Sequence, residues 1–246
     1  MPDLQRTMLL TGASRGIGHA TVKLFAQRDW RVLTVSRHPF DPACPWPGGA
    51  ANHLQADLSE PEACESLIAE VRSRIDGKGI DALVNNAGIS PKAIDGSRMS
   101  ALQTDYRTWL QVFNVNFFAP AILARGLFQE LKRARGAIIN VTSIAGSRVH
   151  PFAGTAYACS KAALAALTRE LAHDYGPHGV RVNAIAPGEI HTSILSPGTN
   201  LIVEKQIPMG RLGEPTEVAE LIMFMCSTNS GYVNGAEFHI NGGQHV

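Results

Sequence analysis

Short, nearly continuous apolar runs alternate along this chain with longer stretches whose apolar residues recur at helical spacing. Arg6 to Leu10 and Arg31 to Ser36 are the first two runs, and Asn52 to Ala56, Ile80 to Val84, Ala137 to Val141, Val180 to Ala186 and Ala236 to Ile240 follow. Strands covered on both faces read this way, as parallel strands do. Between them, Val22, Leu24, Phe25 and Ala26 mark a first helix, and Leu67, Ile68 and Val71 a second. Ser59-Glu60-Pro61-Glu62 reads as a capping box opening that second helix. Tyr106 to Lys132 predicts one long, largely apolar helix. The Ala/Leu-rich stretch around Lys161 predicts another, stopped by a capping glycine and a breaker at Gly176-Pro177. A last helix spans Thr216 to Cys226. Strictly alternating strands and helices predict an α/β, doubly wound parallel sheet of about seven strands in three layers.

Composition narrows the class. The chain has 246 residues, 45% hydrophobic and 17% charged, enough for one large domain with a substantial core. No linker, repeat or low-complexity tract divides residues 1–246. Pro39 to Gly49 holds four prolines and two glycines, so it reads as an exposed loop with Trp46 covering the surface. A net charge of +1 without a basic block argues against a nucleic-acid or anionic-membrane surface. Cys44, Cys64, Cys159 and Cys226 are scattered, the pattern of reduced thiols in a cytoplasmic protein. No membrane span or signal peptide is expected. The nine histidines make no ligand cluster, so no metal is expected.

The chemistry gathers at strand ends. Thr11-Gly12-Ala13-Ser14-Arg15-Gly16-Ile17-Gly18 lies between a strand and a helix. Glycines there let the backbone turn tightly and approach a pyrophosphate seated on the helix N-terminus, the opening of a Rossmann fold. The alternative is an ordinary glycine turn. The second strand ends at Ser36-Arg37-His38, where an acid would hydrogen-bond the ribose of NAD and a base would suit the 2′-phosphate of NADP. Arg37, with Arg15 in the glycine loop, predicts NADP(H), because a guanidinium matches phosphate geometry. The plainer reading is two solvated surface arginines. Asp57 reads equally as an adenine contact or a helix-entry acid. Asn85-Asn86-Ala87-Gly88 reads as a turn that lets a cofactor pass close to backbone, or as a simple turn.

Tyr157 and Lys161 stand four residues apart, one helical turn. An ammonium beside a phenol is expected to lower its pKa, so that Tyr157 can exchange a proton with a carbonyl or alcohol. Alone, such a spacing also fits a solvated helix. Ser143 follows a strand, where open α/β sheets place ligands. Asn116, within a helix, reads either as a bend that holds a water or as a satisfied polar residue at a helix interface. The segment from Glu189 to Gly213 predicts a substrate lid.

Together, Thr11-Gly12-x-x-x-Gly16-x-Gly18, Asn85-Asn86-Ala87-Gly88, Asn116, Ser143, Tyr157-x-x-x-Lys161 and Pro187-Gly188 resemble the classical short-chain dehydrogenase/reductase family over essentially the whole chain. Arg211-x-Gly213-x-Pro215 and Asn241-Gly242-Gly243 add to the resemblance. It implies Tyr157 as general acid/base and Lys161 as the group that lowers its pKa and holds the nicotinamide ribose. Ser143 would polarise the substrate oxygen, and Asn116 would position a water relayed to Lys161. The implied cofactor set starts with the loop residues Gly12, Ser14, Arg15, Gly16, Ile17 and Gly18. Arg37, Asp57, Leu58, Asn85, Ala87 and Gly88 continue it along the adenine and ribose. Tyr157, Lys161, Pro187, Gly188, Ile190 and Thr192 complete it at the nicotinamide.

The implied activity interconverts a carbonyl and a secondary alcohol, with 3-oxoacyl-thioester reduction one instance. The rivals are an NAD-linked dehydrogenase and a silent NADP-binding regulator, the latter at odds with an intact Asn/Ser/Tyr/Lys set. A homo-oligomer, dimer or tetramer, is implied through the helices near Asn116 and after Lys161. The chain departs from the family in a Ser143-to-Tyr157 interval one residue longer, which predicts that His150-Pro151-Phe152 bulges toward substrate. It also departs in Asn241, where the family carries aspartate, and in the proline-rich loop. Ile94, Val149, Phe152, Ile194, Leu195, Leu201 and Ile202 predict a partly hydrophobic substrate.

Overall fold

The computed structural model describes residues 5–44, 48–192 and 199–246. Trp46 and residues 193–198 of the expected lid, Ile194 and Leu195 among them, lie outside them. Strands β1 (Thr7–Thr11), β2 (Arg31–Ser36), β3 (His53–Gln55), β4 (Ala82–Asn85), β5 (Ala137–Val141), β6 (Arg181–Pro187) and β7 (Glu237–Ile240) form one parallel sheet. Its order is β3-β2-β1-β4-β5-β6-β7. Every strand lies within two residues of its apolar run. Side chains alternate across the sheet, and the two cores show it. Met8 and Leu10 face α1 (Gly16–Ala26) and α8 (Pro215–Cys226), packing with Val22, Phe25, Val218 and Ile222. Leu9 faces the opposite way, into the core shared with Leu67 and Val71 of α2 (Pro61–Ile75) and Leu123.

The strand order reverses between β1 and β4, because successive connections leave them in opposite directions. A crevice opens at such a point, beyond the carboxyl ends of the strands. The first glycine loop leaves β1 at that edge.

Three local expectations change. Ser59 does not cap α2; its hydroxyl donates to Asp57 Oδ1 at 2.8 Å, and Glu60 occupies the cap position without a side-chain bond. The long helix is broken into α3 (Tyr106–Phe113), a π turn (Asn114–Phe118), α4 (Ala119–Gly126) and α5 (Phe128–Ala134). The π turn falls on Asn116, the suspected bend; such turns recur where a helix is bent to function. Helix α6 (Thr155–Tyr175) runs into a tight turn, and the left-handed glycine that ends it is Gly179, φ 79°, not Gly176. Within the expected lid, α7 (Thr199–Gln206) is helical, and Ile190 pairs with Gly213 as an isolated bridge.

Gly18 fixes α1 against the glycine loop. A Cβ there would come within 2.1 Å of the Gly12 carbonyl oxygen and 2.7 Å of Asn86 Nδ2. Alanine favours a helix over glycine by up to about 1 kcal/mol, but here it would force two backbone segments apart. Gly18→Ala is expected to lower stability by about 1–3 kcal/mol, the usual cost of overpacking. Urea unfolding checks this, and an unchanged or higher midpoint would refute it.

Candidate active site

The crevice is a cleft of about 490 Å³. Gly12, Ser14, Arg15, Gly16 and Ile17 form one end. Gly12 adopts φ 71°, and a Cβ on it would meet Ala87 Cα at 2.8 Å. Only glycine allows the two loops to approach this closely. Asn86 laces them together: its Nδ2 donates to the Thr11 and Gly12 carbonyls at 3.0 and 2.9 Å. The Thr11 hydroxyl oxygen accepts from the Asn86 and Ala87 backbone N–H groups, both at 3.1 Å.

Arg37, Asp57 and Leu58 line the end beyond β2 and β3. The carboxylate of Asp57 accepts from the Ser59 N–H at 2.9 Å. That bond leads the effects holding it below the ordinary aspartate value, with Arg37 adding its charge. The turn carrying Arg37 is pinned by His38, whose carbonyl accepts from the Ser36 hydroxyl at 2.9 Å and lies 2.9 Å from His53 Nε2.

At the opposite end Ala87, Gly88, Ser143, Tyr157, Lys161, Pro187, Gly188, Ile190 and Thr192 line the cleft. Lys161 is buried, and its Nζ donates to the Val141 carbonyl at 2.6 Å. Burial lowers its pKa to about 8. Tyr157 departs from expectation. Burial pushes its phenol above the ordinary value, a hydrogen bond with Ser143 pulls it down, and the charge of Glu189 pushes it up. The Lys161 ammonium is turned to Val141 and stands 5.7 Å from the tyrosine ring centre, so desolvation outweighs it.

Three expected contact residues sit behind the cleft instead of on its wall. Asn85 is buried, with Nδ2 donating to Asn140 Oδ1 at 2.8 Å. Asn140 donates on to Thr168 Oγ1 at 2.9 Å, so this chain ties β4, β5 and α6 together. Strand alternation turns Asn85 into the sheet and leaves its neighbour Asn86 on the cleft. Gly18 is the packing glycine described above. Asn116 is fully buried: its Oδ1 accepts from the Ile89 N–H at 2.9 Å, and its Nδ2 donates to the Ile89 carbonyl and Ser160 Oγ, both at 3.0 Å. Its donors are therefore committed to the frame under Gly88–Ile89, not to a water.

The cleft also holds charged groups that no motif indicated. Lys92, His150 and Glu189 line it together with Phe152. His150 Nε2 lies 2.7 Å from Glu189 Oε1. The segment His150 to Phe152 thus reaches the cleft, as the longer interval predicts. Of the apolar residues expected to meet substrate, Phe152 lines the cleft, whereas Ile94, Val149 and Leu201 are exposed and Ile202 is packed inside. At the carboxyl terminus, Asn241 Oδ1 accepts from the Gly243 N–H at 3.1 Å, while its buried Nδ2 has no partner.

A nicotinamide dinucleotide fits this cleft. Arg15 and Arg37 stand at the end away from Tyr157, and open glycine backbone runs between. A Cβ at Gly88 would lie in ordinary contact with Lys161 Nζ at 3.4 Å and Asn116 Oδ1 at 3.5 Å, so the backbone here passes close to both. The fold and cleft are those of a dinucleotide-dependent oxidoreductase, and the chain belongs to the short-chain dehydrogenase/reductase family. Residues 12–245 match the family model described as enoyl-(acyl carrier protein) reductase. The chain is similar to protein FixR of Bradyrhizobium diazoefficiens, 59% identical over 98% of this chain and 87% of that one. It is 30% identical to 3-oxoacyl-[acyl-carrier-protein] reductase FabG of Vibrio cholerae, covering 98% of both. A crystal structure of a short-chain dehydrogenase/reductase from Brucella ovis, in complex with a partially ordered NAD, is 55% identical with a TM-score of 0.84, covering 97% of this chain and 100% of that one.

Proposed function

We propose that this chain is an NADP(H)-dependent oxidoreductase that interconverts a carbonyl and a secondary alcohol. The observation that carries the reading is the convergence of Ser143, Tyr157 and Lys161 on the cleft that also holds the glycine loop. The bound nicotinamide supplies or accepts the hydride. Ser143 hydrogen-bonds the substrate oxygen and orients it toward Tyr157. Tyr157 gives its proton to that oxygen during reduction and takes it back during oxidation. A phenol held above its ordinary pKa stays protonated at neutral pH, which suits reduction. Lys161 places a cation near the tyrosine and would hold the nicotinamide ribose with its remaining donors. Asn116 acts through Ile89 as a positioning residue. The segment from Glu189 to Gly213 closes over the substrate. Tyr106, Leu110 and Phe118, exposed on the helices around Asn116, supply the faces of a homo-oligomer.

Cofactor choice turns on Arg37. The competing reading, NAD dependence, draws on the NAD held by the Brucella ovis relative. Titrating the protein with NADPH and NADH, followed by bound nicotinamide fluorescence, separates them. Arg37→Asp is expected to weaken NADPH by about tenfold to a hundredfold, the worth of a charged hydrogen bond, and to leave NADH nearly unchanged. Tighter NADH binding by the unaltered protein would sink the NADP assignment.

A further inference from the structure

Three segments distant in sequence bring charge to the substrate end of the cleft. Glu189 follows Pro187-Gly188 at the end of β6, and its charge reaches the Tyr157 phenol. His150 comes from the connection between β5 and α6, and Lys92 from the connection after β4. The backbone N–H of Phe152 donates to His150 Nδ1 at 3.2 Å, so that nitrogen carries no proton. The ring proton is then on Nε2, donated to Glu189 Oε1 at 2.7 Å. His150 is thereby a neutral strut that aims a carboxylate. Lys92 donates one N–H to the Phe152 carbonyl at 2.5 Å, leaving an ammonium in electrostatic reach of Glu189.

We propose that Glu189 and Lys92 select a neutral substrate carrying a hydroxyl beside the reacting carbon, a vicinal diol or the matching hydroxyketone, in preference to an acyl chain on a carrier. The inference rests on the carbonyl/alcohol reading above and names its substrate class. A carboxylate bonded to one ring N–H keeps further acceptor sites, and an ammonium with one N–H committed keeps further donors. A hydroxyl donates to the first and accepts from the second, whereas a methylene would cover the remaining sites of both without partners, at a cost. The two charges balance each other, so a neutral ligand adds no uncompensated charge.

The test uses the protein saturated with NADP⁺ or NAD⁺ and a four-carbon series: 2-butanol, 2,3-butanediol and erythritol, titrated calorimetrically. Turnover of acetoin, 2-butanone and acetoacetyl-coenzyme A is measured alongside. The diols are expected to bind at least about tenfold more tightly than 2-butanol, as a charged hydrogen bond allows. Glu189→Gln and Lys92→Met are each expected to erase most of that preference without changing cofactor affinity. Equal binding across the series, a preference surviving both substitutions, or faster turnover of acetoacetyl-coenzyme A than of acetoin overturns the inference. Selective diol binding without hydride transfer to any ketone would uphold it and sink the carbonyl/alcohol reading. Turnover with no hydroxyl preference would do the reverse.

Discussion

Tyr157→Phe is expected to reduce turnover by about a hundredfold to ten-thousandfold, the span that positioned proton transfer contributes, while NADPH affinity stays within a few-fold. The substitution removes one oxygen from a ring that keeps its place in α6. Ser143 still meets the substrate oxygen, but nothing there can deliver a proton. The direction of the pH dependence follows from the raised phenol. Oxidation of an alcohol needs the phenolate, and a raised pKa moves that form to higher pH. Oxidation is therefore expected to climb with pH through and beyond the neutral range. Reduction needs the protonated phenol and is expected to stay level across neutrality. It should fall only as Lys161 loses its proton near its value of about 8. Initial rates in both directions across pH 6–10 check this. Full turnover in the phenylalanine variant, or an oxidation rate that falls with rising pH, would remove Tyr157 from its assigned place.

Asn116→Leu is expected to destabilise the protein by about 1–4 kcal/mol. The side chain, itself fully buried, satisfies both backbone groups of Ile89 and bonds Ser160. Leucine is close in size, so little cavity opens. It leaves the half-buried Ile89 N–H and C=O without their side-chain partners, each costing up to about 1–3 kcal/mol. Turnover should fall further than stability alone explains, because Ile89 and Gly88 form part of the cleft wall. Denaturant midpoints and turnover at a temperature where the variant is fully folded separate the two effects. A variant as stable as the parent would show that the amide bonds contribute nothing net.

The strands and their order of appearance were legible because a strand covered on both faces must be apolar throughout. The cleft was legible because each contributing loop follows a strand, and parallel strands deliver their carboxyl ends to one edge. Side-chain direction was not. Asn85 and Asn86 are adjacent and chemically identical, yet one enters the sheet and the other holds the glycine loop. Lys161 engages the Val141 carbonyl, and a backbone partner leaves no mark on the spacing of side chains. The four-residue spacing to Tyr157 reported proximity but not burial, and burial sets the direction of the tyrosine shift. His150 and Glu189 lie in segments the sequence pointed toward substrate, but they meet only through the conformation of two loops, so their pairing was not legible.

The packing of α1 on α8 carries a consequence for synthesis. Val22 and Phe25, in the helix that opens the cofactor site, are covered by Val218, Ile222 and Met225, about 200 residues later. While the ribosome is still making residues 215–226, the first helix exposes an apolar stripe with nothing to lie on. The helix that opens the cofactor site is therefore covered only once residues 215–226 have emerged. Until then, that stripe is the surface a nascent-chain chaperone would meet.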